Sequence, residues 1–245
     1  MADEAIERFF DLAGVEPRAV GWRIEGEVPP SRGLGSSVTL RLGLLAALNA
    51  AHERPLAAQA LYQACSDLEG HPDNAAPAQF GGFISALPDT HYLRFEVGGE
   101  LKFVLLVPEF GIETAAARSV LPEMVPRRDA LSNTAHAALL TAAFAARRYE
   151  MLRHAFHDRL HQHYRLPLLP ELDDVIAAGV AAGALGGFLS GSGSTICCAA
   201  LDNPQAVGRA MQAAMPARAS RVLTVAACNS GATAGPLEES GLVTA

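Results

Sequence analysis

Apolar and polar residues recur with different periods along this chain, and the periods predict helices interleaved with strands. The helical period predicts helices over residues 4–13, 37–52, 56–68, 113–119, 129–146, 149–162, 171–182 and 204–214. Alternation at every second residue, or a short apolar run, predicts strands over residues 22–28, 80–87, 92–97, 195–201 and 221–227. Because hairpins as well as helical connections join these strands, the predicted fold class is α+β.

The pattern breaks at Gly98-Gly99-Glu100, where we expect a tight hairpin, and a different apolar run begins at Lys102. This break divides the chain into a predicted first domain, residues 1–98, and a predicted second domain, residues 99–245. Residues 183–194 are rich in glycine, and residues 228–245 are small, polar and predicted to be loosely held.

Composition and charge exclude several classes of protein. With 18% charged residues and a mean hydropathy of +0.17, the 245-residue chain is too apolar to be intrinsically disordered. Its net charge of −7 argues against a nucleic-acid or anionic-membrane partner. The uncharged run 175–189 is too short to span a bilayer. The four cysteines form no C-x-x-C pair, so we expect a cytoplasmic protein with reduced thiols.

The strongest local motif is the sequence PPSRGLGSS at residues 29–37, between a predicted strand and a predicted helix. Its glycines let the backbone approach a phosphate, and the following helix directs N–H groups and a positive dipole end at an anion. It is not a Walker loop, because that motif needs a lysine and Lys102 is the only lysine of the chain. An ordinary glycine-serine turn with a serine cap is an equally weighted alternative.

Two further polar segments are candidates for chemistry. Residues 69–74, sequence EGHPDN, place carboxylates that can hold Mg²⁺ and an amide, Asn74, that can bond a hydroxyl substrate. The alternative is a polar turn that caps the next segment. Residues 189–195 form a glycine-serine loop that can lie against a ligand or be a simple turn. No serine fits G-x-S-x-G, which argues against a serine hydrolase.

The segment 154–165 concentrates histidines and arginines. His157 and His161 are predicted to share a helix face, which raises the possibility of a metal site, but exposed histidines flanking a helix are favoured because no carboxylate ligand is clearly placed. Arg165 can clamp a substrate carboxylate in bidentate fashion, or it can be part of a solvated helix end.

Together these segments resemble the GHMP small-molecule kinase superfamily, and within it the homoserine kinase family. The superfamily pattern is P-x-x-x-G-L-G-S-S at 29–37 followed by G-S-G-x-T at 191–195. The narrower resemblance rests on E-G-H-P-D-N-x-x-P-A at 69–78 with Gly81-Gly82, A-R-S-V-L-P at 117–122, and D-R-L-H-Q-x-Y-R at 158–165.

The resemblance implies the two-domain GHMP kinase fold, with a first part like ribosomal protein S5 domain 2 and a ferredoxin-like second part. It implies ATP- and Mg²⁺-dependent phosphorylation of L-homoserine in threonine biosynthesis, and a possible homodimer. By analogy Ser37 (or Ser36) and Glu69 lie near Mg²⁺, Asn74 lies near the attacking hydroxyl, and Arg165 holds the carboxylate of the amino acid. The residues implied to bind ATP are Pro29, Pro30, Ser31, Arg32, Gly33, Leu34, Gly35, Ser36, Ser37, Val38, Gly191 and Gly193.

The chain also departs from the family pattern. Val38 replaces an alanine, and Ser194 and His163 each replace a proline. The family's opening P-x-[ST]-x-N-L-G-x-G-F-D segment has no counterpart among these 245 residues, so we expect either a start further upstream or a shortened relative. Two alternatives therefore stand beside homoserine kinase: a GHMP kinase for another small alcohol, and a GHMP-fold protein that binds nucleotide without catalysis.

Overall fold

The computed structural model describes residues 1–235, which form two compact units. The first unit comprises residues 1–26, 37–94 and the chain from residue 229, and the second comprises residues 27–36 and 95–228. Each unit is therefore built from more than one stretch of the chain. The predicted domain boundary at residues 98/99 stays a prediction. Residues 236–245 of the predicted second domain lie outside the described residues. Within the described range, no helix is long and apolar enough to cross a membrane.

The first unit is built from helices around an aromatic and leucine-rich core. Its elements are α1 (Ala2–Ala13), α2 (Ser36–Ala51), α3 (Ala58–Glu69), α4 (Ala75–Phe80), β1 (Phe83–Ala86) and β2 (Tyr92–Phe95), and the two strands pair with each other. Phe9 on α1, Leu45 on α2 and Tyr62 on α3 are completely buried. The apolar stripes of the three helices thus bury one another, as their sequence periods require.

The second unit contains a four-stranded antiparallel sheet. Its strands are β3 (Lys102–Pro108), β4 (Gly186–Leu189), β5 (Ile196–Ala200) and β6 (Ser220–Ala226), in the spatial order β4-β5-β3-β6. Between β3 and β4 lie α5 (Thr114–Ser119), α6 (Arg127–Ala145), a 3₁₀ helix (Tyr149–His154), α7 (Gln162–Arg165) and α8 (Leu172–Ala181). Helix α9 (Pro204–Ala213) joins β5 to β6. This β-α-β-β-α-β order is ferredoxin-like, and it confirms the α+β prediction.

The core of the second unit lies between this sheet and its covering helices. Val104 and Leu106 on β3 are fully buried together with Val175 on α8 and Val207 and Met211 on α9. Cys197 and Cys198 on β5 are buried as well, and burial raises the pKa of Cys198 to about 12 and that of Cys197 further. These thiols therefore remain protonated and act as small core side chains.

The predicted strand over residues 22–28 is wrong. Trp22 and Ile24 are about half exposed, and this segment pairs with no strand among residues 1–235. Its alternating pattern suits a strand, but strand geometry is stabilised only when a neighbour accepts and donates the backbone hydrogen bonds.

The predicted helix over residues 149–162 is also wrong. A 3₁₀ helix ends at His154, and α7 begins only at Gln162. Between them the carboxylate of Asp158 accepts hydrogen bonds from the backbone N–H groups of His161 (2.8 Å) and Gln162 (2.6 Å). A side chain that captures backbone donors in this way competes with the continuous helix. His157 and His161 therefore do not share a helix face.

Three smaller predictions need correction. The turn at residues 98–100 is not a hairpin, because β2 and β3 belong to different sheets. The glycine-rich stretch 183–194 contains strand β4, which its small residues did not indicate. Helix α4 ends at Phe80, so β1 begins at Phe83 rather than at residue 80.

Candidate active site

The glycine-serine loop at residues 29–35 is fixed against a second loop, residues 190–195, and we call these two segments the glycine-loop cluster. The Ser190 hydroxyl donates to the Gly33 carbonyl at 2.8 Å, and the Thr195 N–H donates to the Arg32 carbonyl at 3.2 Å. A Cβ at position 33 would stand 1.9 Å from the Ser190 carbonyl oxygen, and Gly33 has a φ of +70°. Only glycine permits this approach, so the loop is shaped before any ligand arrives.

The Arg32 side chain ties the same loop to the end of β3 and the residue that follows it. Its guanidinium donates to the carbonyls of Pro108 (2.9 Å), Pro30 (3.1 Å) and Glu109. The Ile112 N–H also donates to the Ser31 carbonyl, at 3.0 Å. The Arg32 guanidinium, which the sequence analysis placed among the phosphate-binding groups, is thus occupied with backbone carbonyls.

The remaining loop residues differ in what they can offer a ligand. Gly35 has a φ of +71°, and beyond its chain neighbours no atom lies within 4 Å of where its Cβ would stand. Ser36 is the first residue of α2, and the N–H groups of a first helical turn are suited to bind an anion. Val38 is 98% buried in the helical core, which leaves only its backbone for binding.

Arg165 is positioned by backbone carbonyls of the second unit. Its Nε donates to the Ala117 carbonyl and its Nη1 to the Gly191 carbonyl, both at 3.1 Å, and Nη1 also lies 3.1 Å from His161 Nδ1. Burial lowers the pKa of Arg165, Asp158 raises it and the charge of Arg118 lowers it again. Arg165 remains a cation, since an arginine pKa lies far above neutrality.

Arg118 is a residue that the sequence analysis cited only for the resemblance. Its side chain is exposed, and its charge acts on Arg165. A second guanidinium adds positive charge that favours an anion near Arg165, although the negative charge of Asp158 also acts on Arg165. The only sequence signal was the A-R-S-V-L-P segment, which gives no indication that Arg118 lies near Arg165.

A second group of side chains, in the first unit, is organised by charge; we call Glu4, Ser37, Arg41 and Glu69 the glutamate cluster. The Ser37 hydroxyl donates to Glu69 Oε2 at 2.9 Å, and Arg41 Nη1 donates to Glu69 Oε1 at 2.8 Å. Arg41 Nη2 reaches Glu4 at 3.1 Å. Ser37 and Arg41 share one face of α2, because they are four residues apart. Glu69 is the last residue of α3, and its side chain is only 7% exposed.

The donor set of Ser37 and Glu69 fits Mg²⁺. A hydroxyl and a carboxylate are hard oxygen ligands, and magnesium in kinases takes one or two protein ligands together with substrate phosphates. Within residues 1–235 no group of three or more histidine, cysteine, aspartate or glutamate side chains is suited to hold a metal by protein alone. Nucleotide phosphates would therefore have to complete the coordination.

Asn74 lies in the turn between α3 and α4. Its side chain is exposed and makes no capping bond to α4, while its N–H donates to Asp73 Oδ1 at 2.9 Å. Asp73 also contacts His71 Nδ1. The Asp73 carboxylate is thus engaged within the turn. The Asn74 side-chain amide does not cap α4.

The structure brings the predicted residues together in two groups. The second unit holds the glycine-loop cluster and Arg165, and Arg165 touches Gly191 of that cluster. The first unit holds Ser37 beside Glu69. Arg41 and Arg118 were missed by the sequence analysis, since arginines on helices most often face solvent and their partners lie far away in the chain.

Comparison with known proteins identifies the family. The family model of the GHMP kinases N terminal domain matches residues 1–82, and that of the GHMP kinases C terminal domain matches residues 136–217. A homoserine kinase of Persephonella marina is 43% identical over 187 residues, which are 75% of this chain and 62% of the relative. A homoserine kinase of Carboxydothermus hydrogenoformans is 39% identical over 211 residues, 85% of this chain and 69% of the relative.

The fold comparison agrees with the sequence comparison. A crystal structure of homoserine kinase from Cytophaga hutchinsonii superposes with a TM-score of 0.84 at 24% identity, covering 94% of this chain and 76% of the other. This likeness concerns the fold alone. The chain spans 62% and 58% of the lengths of two curated relatives from P. marina and Deinococcus radiodurans. On its sequence and its fold, the chain belongs to the GHMP kinases and, within them, to the homoserine kinase family.

Proposed function

We propose that this chain transfers a phosphoryl group from ATP to the hydroxyl of L-homoserine, with Mg²⁺ as the metal. The observation that carries the proposal is the hydrogen bond from the Ser37 hydroxyl to Glu69 Oε2, at 2.9 Å. Ser37 lies in the first turn of α2, just after the glycine loop in the sequence. The names of the curated relatives supply the acceptor, because each of those cited is a homoserine kinase.

The phosphate-binding part of this proposal needs no lysine. The backbone around Gly35, the first turn of α2 and the Gly191–Gly193 loop would hold the ATP phosphates, and Ser37 and Glu69 would hold the metal. Bound Mg²⁺ would neutralise phosphate charge during transfer. Since phosphoryl transfer depends mainly on positioning and charge, a rigid loop with N–H donors provides most of what the protein must contribute.

The acceptor-binding part rests on Arg118 and Arg165. Homoserine carries a carboxylate, and a pair of guanidinium groups binds that anion with charge-assisted hydrogen bonds. We assign Asn74 to the acceptor hydroxyl, since its amide can orient a hydroxyl without removing the proton. No aspartate or glutamate is assigned as a general base.

Two further features stay predictions. A cytoplasmic location is proposed from the substrate class. A homodimer follows from the family resemblance alone, and gel filtration of the purified protein would test it.

The direct test is production of O-phosphohomoserine together with ADP, measured with millimolar ATP, Mg²⁺ and L-homoserine. We expect turnover that depends on all three, and no phosphorylated product above background would overturn the proposal. The compound 3-aminopropan-1-ol, which is homoserine without its carboxylate, serves as the matched acceptor. R118M is expected to raise the KM for homoserine and leave the KM for 3-aminopropan-1-ol unchanged. A variant that loses activity on both acceptors equally would contradict the carboxylate assignment.

A further inference from the structure

Both carboxylate oxygens of Glu69 are already engaged inside the protein. Oε2 accepts from Ser37 and Oε1 accepts from Arg41, at 2.9 and 2.8 Å. The Glu69 side chain is 7% exposed and that of Arg41 is 13% exposed. A cation that arrives at this carboxylate therefore meets an ion pair rather than an uncompensated negative charge.

Arg41 is held so that its charge stays beside Glu69. Burial lowers the pKa of Arg41, but the hydrogen bonds and charges of Glu69 and Glu4 outweigh burial, and the pKa lies above its ordinary value. The Arg41 Nε is buried and has no hydrogen-bond partner among the described residues. The Arg41 side chain therefore leaves Nε without a partner while Nη1 and Nη2 bond the carboxylates of Glu69 and Glu4.

A fixed guanidinium changes what Glu69 can do for a metal. Charges about 4 Å apart still interact strongly at the effective dielectric of a protein surface. Magnesium also releases its water reluctantly, so a neutralised carboxylate and a neutral hydroxyl are weak ligands by themselves. The negative charge of nucleotide phosphates would restore the attraction.

We propose that Arg41 is a positioning residue that makes Mg²⁺ binding at Ser37 and Glu69 conditional on nucleotide. It holds Glu69 in place, and it neutralises the carboxylate so that free Mg²⁺ does not occupy the site. The metal then enters with the nucleotide. This inference rests on the proposed function for the identity of the metal and the nucleotide.

The test measures metal binding without turnover, by thermal unfolding and calorimetric titration with MgCl₂ alone. We expect millimolar MgCl₂ to leave the melting temperature of the wild-type protein unchanged. R41Q keeps a polar side chain without a charge, and R41M has neither charge nor hydrogen-bonding group; we expect both to bind Mg²⁺ at least about tenfold more tightly than wild type. Their melting temperatures should be lower without Mg²⁺ and rise as MgCl₂ is added.

Matched variants separate this explanation from a loss of packing. E4Q removes a charge that is 57% exposed and leaves an amide oxygen that can accept from Arg41, so its Mg²⁺ response should be that of wild type. R41Q/E69Q should lose the Mg²⁺ response of R41Q, because the carboxylate is gone. Mg²⁺ affinity unchanged or weakened in both Arg41 variants would overturn the proposal, as would tight binding of Mg²⁺ alone to wild type. Because no acceptor is present, these results stand apart from whether homoserine is phosphorylated.

Discussion

The glycine-loop cluster and the glutamate cluster each hold polar groups in fixed positions, but the interactions that hold them are different. In the glycine-loop cluster the contacts are hydrogen bonds to backbone carbonyls, and the fit depends on a missing Cβ at Gly33. In the glutamate cluster the contacts are between side chains, and two of the three are ion pairs of Arg41. The first is therefore set by shape, and the second by charge.

This difference predicts how each cluster responds to its surroundings. Bonds to neutral carbonyls change little with salt, whereas partly exposed ion pairs are screened by it. A shape-determined loop is ready for phosphate at any ionic strength. A charge-determined pair weakens as salt is added, so the position of the Glu69 carboxylate depends on ionic strength.

The largest expected effect comes from breaking the shape of the loop. G33A would place a Cβ 1.9 Å from the Ser190 carbonyl oxygen at a φ of +70°. We expect a loss of about 3 kcal/mol in the free energy of unfolding, from overlap and backbone strain together. G35A is the control, because it carries the same strain with no atom nearby; it should lose about 1 kcal/mol. Urea unfolding of both variants measures the difference, and equal losses would show that overlap contributes nothing.

The next effect comes from removing the charge at the centre of the glutamate cluster. E69Q leaves Arg41 with an uncharged amide oxygen at position 69, and its remaining charged partner among the described residues is the exposed Glu4. Because breaking a buried ion pair leaves an uncompensated charge, and because Arg41 is 13% exposed, we expect a loss of about 2 kcal/mol. Urea unfolding measures this loss, with E4Q as the variant that should unfold as wild type does. Full stability in E69Q would mean that the cluster is not held by charge.

A salt titration sharpens the comparison directly. R32M removes three hydrogen bonds to backbone carbonyls and should cost about 1.5 kcal/mol. Melting curves at low and high KCl should show that this loss is the same at both, whereas the loss in E69Q shrinks at high salt. If both losses shrank together, the distinction between the two clusters would fail.

The smallest expected effect concerns pH. Burial lowers the pKa of His161, Asp158 raises it and Arg165 lowers it again, so the net shift is downward. As the pH falls below about 6.5, the unfolded chain takes up a proton at this position while the folded chain does not, and the folded state loses stability. Melting temperatures between about pH 7.5 and pH 5 should therefore fall less steeply in H161Q than in wild type.

H154Q supplies the control for this titration, because His154 is exposed and seven residues away, whereas the charge of His163 itself lowers the pKa of His161. Asp158 does not interfere, although its pKa is also lowered: burial alone raises it, but the backbone N–H groups of Gln162 and His161 outweigh burial. A carboxylate with a lowered pKa loses its contribution only below about pH 4. Parallel slopes in H161Q and wild type would contradict the assignment to His161.

Local sequence determined much of the fold. Helices α1, α2 and α9 begin and end within a few residues of their predicted limits, since an apolar stripe and a terminal glycine, serine or proline are local signals. Glycine and serine before a helix also predict an anion-binding loop at residues 29–37, because such a loop exposes backbone N–H groups, and this role stays a prediction. The homoserine kinase resemblance, which the family comparison confirms, rested on such short segments in order.

Long-range contacts decided what local patterns could not. The segment 22–28 has the alternation of a strand, yet no strand among the described residues pairs with it. The stretch 155–161 has helical periodicity, yet the Asp158 carboxylate captures its backbone donors. In both places the outcome depended on which partner a backbone hydrogen bond finds, and periodicity does not encode that.

By itself, the sequence therefore determined the family and the fold class, because these depend on residue types at fixed spacing, while the phosphate-binding role of the loop stays a prediction. Only the tertiary structure decided that Arg32 faces backbone carbonyls and that Arg41 faces Glu69, 28 residues along the chain. The physical reason is that a guanidinium has no preference among carbonyl, carboxylate and phosphate oxygens until folding places one within hydrogen-bonding distance.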